Sequence, residues 1–306
     1  MSLITDRILA ELGDAKLMEK LSALPASDLN SLLLSVFQER SATVKPVDML
    51  KSYQINRFCK PSEIDAAAYH ALESELLSLA QQMNISSVLL SPSSPFASCS
   101  AFGCVDQNNV VSATRGIEVL SDPTNMLAVI IAERLRKTNP NNVEPMHLCT
   151  TARVIRAQVF PNTNRHFAHF GVFCIVSSGK DSGSYTCEKD LLARQLAYYR
   201  RLLIEKYGAK LSVVLCKRQG YADGDGFFHG IAKLVKTELP DVPLTLDLDH
   251  ADNHYYRGIA FKMFMEKEGE RIEIGDGGYV DWIQRMTNNK KERCLISGIG
   301  LDRFLL

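Results

Sequence analysis

Apolar residues recur at helical spacing from the start of this chain. Ile4, Ile8, Leu9, Leu12, Leu17 and Leu21 follow the three-and-four rhythm of an amphipathic helix. A second run, Leu29, Leu32, Leu33, Leu34, Val36 and Phe37, begins just after Ser27 and Asp28. Either of these can cap a helix by accepting its unpaired N–H groups. Residues 1–59 therefore read as a helical N-terminal extension in which no chemistry is visible. Lys60-Pro61-Ser62-Glu63 marks a boundary, and residues 60–306 read as the main domain. That domain opens on a long helix with Ala67, Leu72, Leu76, Leu77 and Leu79 on one face.

The rhythm then changes. Val88-Leu89-Leu90 reads as a buried strand ending at Pro92, and residues 109–113 and 116–120 read as shorter strands. Asp122 or Thr124 can cap a helix over Met126–Arg136, with Pro123 in its first turn. Apolar residues at Val154-Ile155 and Phe170–Val176 bracket a polar loop, as the arms of a long antiparallel hairpin would. Residues 177–184 read as a loop, Glu188–Tyr207 as an amphipathic helix, and 211–216 and 244–248 as strands. A strand pair over 259–264 and 271–274 follows. Strands and helices do not alternate regularly, which points to an α+β fold, an antiparallel sheet flanked by helices.

Composition narrows the function classes. Thirty-five basic residues balance thirty-five acidic ones, so the whole chain has no electrostatic case for nucleic-acid binding. No apolar run reaches the length of a membrane span. Eight cysteines at irregular spacings, without a C-x-x-C pair or an export signal, fit reduced thiols in a cytoplasm better than disulfides or zinc. Tyr221-Ala-Asp223-Gly-Asp225-Gly has alternating carboxylates but lacks the other ligands of a calcium loop, and reads as a polar turn. Asp247, Asp249, His250, Asp252 and His254 form a dense polar run that either lines a pocket floor or is solvated.

Two arginine-bearing segments carry the candidate chemistry. The first is Arg153-Val-Ile-Arg156-Ala-Gln158, followed by Phe160-Pro-Asn-Thr-Asn-Arg165-His-Phe167. The second is Gly298-Ile-Gly300-Leu-Asp302-Arg303, in which a glycine pair leads a strand into a following turn of helix. Read alone, the first also fits a hairpin with surface arginines and a core phenylalanine. Together and in this order they resemble motifs 2 and 3 of the class II aminoacyl-tRNA synthetases, closest to the histidyl-tRNA synthetase core. His254-Tyr255-Tyr256-Arg257-Gly258 and Ile274-Gly275-Asp276-Gly277-Gly278 resemble the tyrosine pair and glycine-rich strand of that core. The helix and strand before Pro92 resemble motif 1, the dimer-building element. The resemblance spans roughly residues 62–306.

It implies a homodimer that binds ATP with Mg²⁺ and a small carboxylate or amino acid. Arg156 and Arg303 would be catalytic and hold phosphates, with Arg165 and Gly300 beside them, and Phe167 would stack on adenine. His169, Phe173, Tyr255, Tyr256 and Gly277 would line the substrate pocket. The departures are specific. Gln158 stands where the family has an acidic residue, Ala251 where it has an activating arginine, and Phe173 where it has a glutamate. Serine, aspartate and proline around Asp122 replace an arginine-proline-glutamate turn. Carboxylates left for magnesium are Glu118, Asp276 and Asp281. The expectation is therefore a paralog that does not charge tRNA. It either makes an adenylate for another acceptor or serves as an inactive regulatory subunit of a partner enzyme, as a known relative does for ATP phosphoribosyltransferase.

Overall fold

The computed structural model describes residues 3–103, 105–138, 144–158, 168–248 and 255–305. Four helices come first, α1 (Leu3–Leu12), α2 (Leu17–Ser22), α3 (Ala26–Ser41) and α4 (Pro46–Ile55). Gly13, with φ near +70°, breaks the first apolar run into two helices. Helix α3 starts at Pro25, in the capping position, rather than at Ser27 or Asp28, because proline suits a helix start where no N–H is needed. The long helix α5 (Ala66–Gln82) is capped by Asp65, whose carboxylate accepts from the Ala68 N–H at 2.8 Å.

The expected strand at residues 88–90 is smaller and earlier. It is β1 (Ser86–Ser87), and Leu89 beyond it is almost wholly exposed. Then come β2 (Ser93–Pro95), α6 (Ser98–Gly103), β3 (Ser112–Ala113) and β4 (Ile117–Val119), of which the strands form a three-stranded sheet ordered β2-β4-β3. Helix α7 (Pro123–Lys137) follows, then the hairpin β5 (Met146–Ile155) and β6 (His169–Lys180). Residues 177–180 are strand, not loop, because β6 pairs with β5 as far as Ser178 and with β11 as far as Lys180.

Helix α8 (Thr186–Tyr207), β7 (Lys210–Lys217), α9 (Gly224–Glu238) and β8 (Leu244–Asp247) come next. The chain closes with β9 (Arg257–Lys267), β10 (Glu270–Val280), α10 (Trp282–Thr287) and β11 (Glu292–Gly300). The polar turn at Asp223–Asp225 is the start of α9: Asp223 accepts from the Gly226 N–H at 2.8 Å and so caps that helix. The helix expected after Gly300 is one 3₁₀ turn, Leu301–Phe304.

The large sheet runs β1-β5-β6-β11-β10-β9-β7-β8, antiparallel except for its two outer pairs. Each face has its own core. Helices α5, α8 and α9 cover one face, where Phe173, Ile175, Phe261, Leu295 and Ile299 meet Leu76, Leu196, Tyr198 and Ile231. Helices α7 and α10 cover part of the other, where Val154, Val172, Cys174 and Ile296 meet Leu127, Ile131 and Trp282. Burial on both faces explains why Val172–Val176 is an unbroken apolar run instead of an alternating one. Each fully buried leucine or phenylalanine contributes about 2 kcal/mol, so the sheet is a rigid platform for what projects from its less covered end.

Candidate functional site

Arg156 is the first residue beyond β5, and its N–H donates to the Ala168 carbonyl at 2.9 Å, extending the hairpin. Its guanidinium Nε donates to the Ser121 carbonyl at 3.3 Å and its charge lies 5.2 Å from the centre of the Phe170 ring. The adjacent Asp122 caps α7: Oδ1 accepts from the Thr124 N–H at 2.9 Å and from its hydroxyl at 2.6 Å. Oδ2 accepts from the Tyr255 hydroxyl at 2.8 Å. Tyr255 packs edge-on against Tyr256, with ring centres 4.8 Å apart. The Tyr256 hydroxyl donates to Asp276 at 3.3 Å. Its ring lies where a Cβ on Gly278 would be, 2.5 Å away, so glycine is required there.

The floor is three strands wide. Register places Cys174 of β6, Gly298 of β11 and Asp276 of β10 side by side, all facing away from α8. Water reaches Asp276, yet protein surrounds it on its other sides. That desolvation raises its carboxyl above the usual aspartate range, against the Tyr256 hydrogen bond and the charge of Arg156. Both tyrosines are pushed far above their ordinary values, by burial first and by the carboxylates of Asp122 and Asp276 next. They are fixed hydrogen-bond donors at any physiological pH. The result is an open face that carries a guanidinium, Arg156, and a carboxyl group, Asp276, among the aromatic side chains of Phe170, Tyr255 and Tyr256.

The tyrosine pair lies on the same face of the sheet as Arg156, but three other residues assigned to the pocket lie on the opposite face. Phe173 is fully buried under α8 and stacks on Tyr198 with ring centres 5.2 Å apart. The His169 ring is held between Arg153, at 2.7 Å, and the Lys60 carbonyl, at 2.5 Å. A Cβ on Gly277 would meet Phe261 at 2.4 Å, inside the α8-side core. Side chains alternate across a strand, so a one-residue offset exchanges the faces. The residues on the Arg156 side are Phe170, Val172, Cys174 and Gly278. Phe170, which sequence reasoning missed, is signalled by its pairing with Val154, two residues before Arg156.

Arg303 is exposed beyond the end of β11 at Gly300, and its guanidinium donates to the carbonyl of Glu273, three residues along β10 from Asp276. Asp302 turns inward and accepts from the Gly171 N–H at 2.8 Å, tying the chain's last turn to β6. Arg165 and Phe167 lie outside the described residues, as do Ala251 and the polar positions 249, 250, 252 and 254.

The carboxylates available for magnesium fare differently. Glu118 is buried and accepts from the Ala97 and Cys99 N–H groups, the Ser98 hydroxyl and the Gln107 amide. Burial would raise its carboxyl, but these bonds outweigh it and hold it below the usual glutamate range. Asp281 lies 3.1 Å from Arg257 and 3.7 Å from Arg285. Only Asp276 is beside Arg156, and among the described residues no three His, Cys, Asp or Glu side chains converge as metal ligands. Among the described residues, then, no ready-made set of magnesium ligands stands beside Arg156.

No protein-family model matches the sequence, and no curated protein matches it. Solved structures do match the fold. Staphylococcus aureus histidyl-tRNA synthetase superposes with a TM-score of 0.58 at 14% identity, over 80% of this chain and 67% of that one. The ATP phosphoribosyltransferase regulatory subunit/histidyl-tRNA synthetase of Bacillus halodurans gives 0.59 at 11% identity, over 80% and 82%. A histidine–tRNA ligase subunit from Alicyclobacillus acidocaldarius gives 0.55 at 14% identity, over 80% and 94%. The fold is therefore that of the class II synthetase catalytic core, with a mostly antiparallel sheet flanked by helices.

Proposed function

We propose that the face carrying Arg156 and Asp276 binds a small amino-acid-like metabolite, and that the chain acts as a sensing or regulatory module rather than a tRNA synthetase. The observation that carries this reading is the convergence of Arg156, at the Ser121 carbonyl and the Phe170 ring, with the linked Asp122–Tyr255–Tyr256–Asp276 chain on one face of the sheet. An amino acid presents a carboxylate to the guanidinium and an ammonium to the aspartate. Two charge-assisted contacts of fixed separation then select for the zwitterion. Tyr256 orients Asp276, and Tyr255 fixes the wall through Asp122. The regulatory description carried by the Bacillus halodurans neighbour supports a partner protein as the receiver of the signal.

A second reading keeps catalysis. Arg303, just beyond β11, bonds to the Glu273 carbonyl of the strand that carries Asp276, and Arg156 lies just beyond β5, so two strand ends each supply an arginine. With ATP bound, Arg156 would stabilise the charge on the α-phosphorus as a substrate carboxylate oxygen attacks it and pyrophosphate leaves, forming an adenylate for a non-tRNA acceptor. The fully engaged Glu118 and Asp122 weigh against this, since magnesium would depend on the nucleotide and water for its ligands.

Calorimetry separates the two. The proteinogenic amino acids and ATP–Mg²⁺ are titrated into wild type, Arg156→Ala, Asp276→Asn and Arg303→Ala. Amino-acid binding lost in the first two variants, without ATP binding, is the expected result. ATP binding lost in Arg156→Ala and Arg303→Ala, with amino-acid-dependent pyrophosphate exchange, would establish the ligase instead. If neither ligand binds wild type at millimolar concentration, both readings fall.

A further inference from the structure

Sixteen of the twenty-one large apolar side chains exposed among the described residues lie between Leu3 and Ile55, the segment that holds α1–α4 and spans less than a fifth of the chain. Helices α2, α3 and α4 bury no residue and α1 buries only Leu9. Helices of six to sixteen residues are marginal in water and depend on tertiary packing of an apolar face. On α3 that face is complete: Leu29, Leu32, Leu33, Val36 and Phe37 follow the full three-and-four stripe, yet the last four are exposed. A groove of about 470 Å³ opens at its end, lined by Phe37, Arg40, Ser41, Thr43 and Val44.

We infer that this surface is the interface with a second copy of the same chain, with α3 and α4 of two protomers packed across a twofold axis. Three observations select that occupant. First, an interface across a twofold axis must carry its own knob and hole, and Phe37 both projects from α3 and borders the groove. Second, residues 1–59 hold seven basic and seven acidic side chains. Two such surfaces meet without net repulsion, whereas a steered foreign partner calls for a field of one sign. Third, nine of those exposed apolar side chains lie on α3 and α4 themselves, enough to supply on the order of the 800 Å² that each partner buries in a standard interface. This interface is separate from the β1 region, where the family resemblance would put a dimer, and it does not depend on the ligand reading.

The test is sedimentation equilibrium of the full chain, beside Leu33→Ala/Phe37→Ala and Leu89→Asp. Alanine keeps helix propensity, so the double variant retains its helices while losing the knob. Wild type should dimerise at low micromolar concentration. The double variant should dissociate at least about tenfold more readily with unchanged circular dichroism, and Leu89→Asp should match wild type. A monomeric wild type at tens of micromolar overturns the proposal. So does a dimer that Leu89→Asp breaks and Leu33→Ala/Phe37→Ala leaves intact.

Discussion

Tyr255 donates its hydroxyl hydrogen to Asp122 across 2.8 Å, joining residues 133 positions apart in sequence. The same carboxylate caps α7 through its other oxygen, so one aspartate fixes a helix start and a wall of the site together. Asp122→Ala removes a cap and a charge-assisted bond and should cost about 3 kcal/mol. Tyr255→Phe removes the bond alone and should cost about 1 kcal/mol. In urea unfolding, the double variant should be less destabilised than the sum of the two. Strict additivity would mean that the pair is not coupled.

Asp276 opposes two demands. Its ionised form is disfavoured in the fold, since desolvation raises its carboxyl above the unfolded value. That penalty is absent below the unfolded value and grows as pH rises through it. It stops growing only above the folded value. Asp276→Asn should therefore unfold at a slightly higher temperature than wild type at pH 7. The same change deletes the partner for a ligand ammonium and should weaken binding about ten- to hundredfold. A variant that binds as wild type does would remove Asp276 from the site.

The order of elements and the two arginine segments were legible because helices, hairpin arms and glycine pairs leave local patterns. Which side of β6 and β10 carries the site was not. Phe173 and Gly277 are placed in the pocket by the family resemblance alone, but period-two alternation gives each strand two equivalent readings. The partner strand decides: Val154 opposite Phe170 and Ser297 opposite Gly277 fix the faces. Helix α9 was hidden for a different reason. Its first turn, Gly224-Asp-Gly226, carries two glycines, and its stability comes from burying Phe227, Phe228 and Ile231.

Gly298 tests whether the floor contacts ligand. A Cβ there would lie 3.2 Å from the Cys174 sulfur and 3.6 Å from the Phe173 carbonyl, which small shifts can absorb. Gly298→Ala should cost about 1 kcal/mol or less while lowering ligand affinity about tenfold by filling the space between Cys174 and Asp276. Gly275→Ala is the contrast. Its Cβ would fall 1.9 Å from the Gly298 carbonyl, inside the sheet's own backbone, and that variant should not fold. Unchanged affinity in Gly298→Ala would place the ligand elsewhere.

Acid sensitivity should come from the opposite face. His147 shares a 2.9 Å hydrogen bond with Ser177, which also accepts from the Gln195 amide beneath α8. Burial, with the nearby Arg194 charge, depresses the imidazole to about 4. The unfolded chain protonates near the ordinary value of 6.5, so between these two values only the unfolded state binds the proton. Stability should therefore be undiminished above pH 6.5, fall as pH drops towards 4, and lose about 3 kcal/mol at most. Glu118 adds a loss in a lower window, because its carboxyl is held below the ordinary value of 4.5 and protonates only in stronger acid. His147→Gln removes the first loss and leaves the second. Urea midpoints measured from pH 7 to pH 4.5 should thus flatten in this variant, and parallel profiles for the two proteins would show that His147 is not the sensitive group.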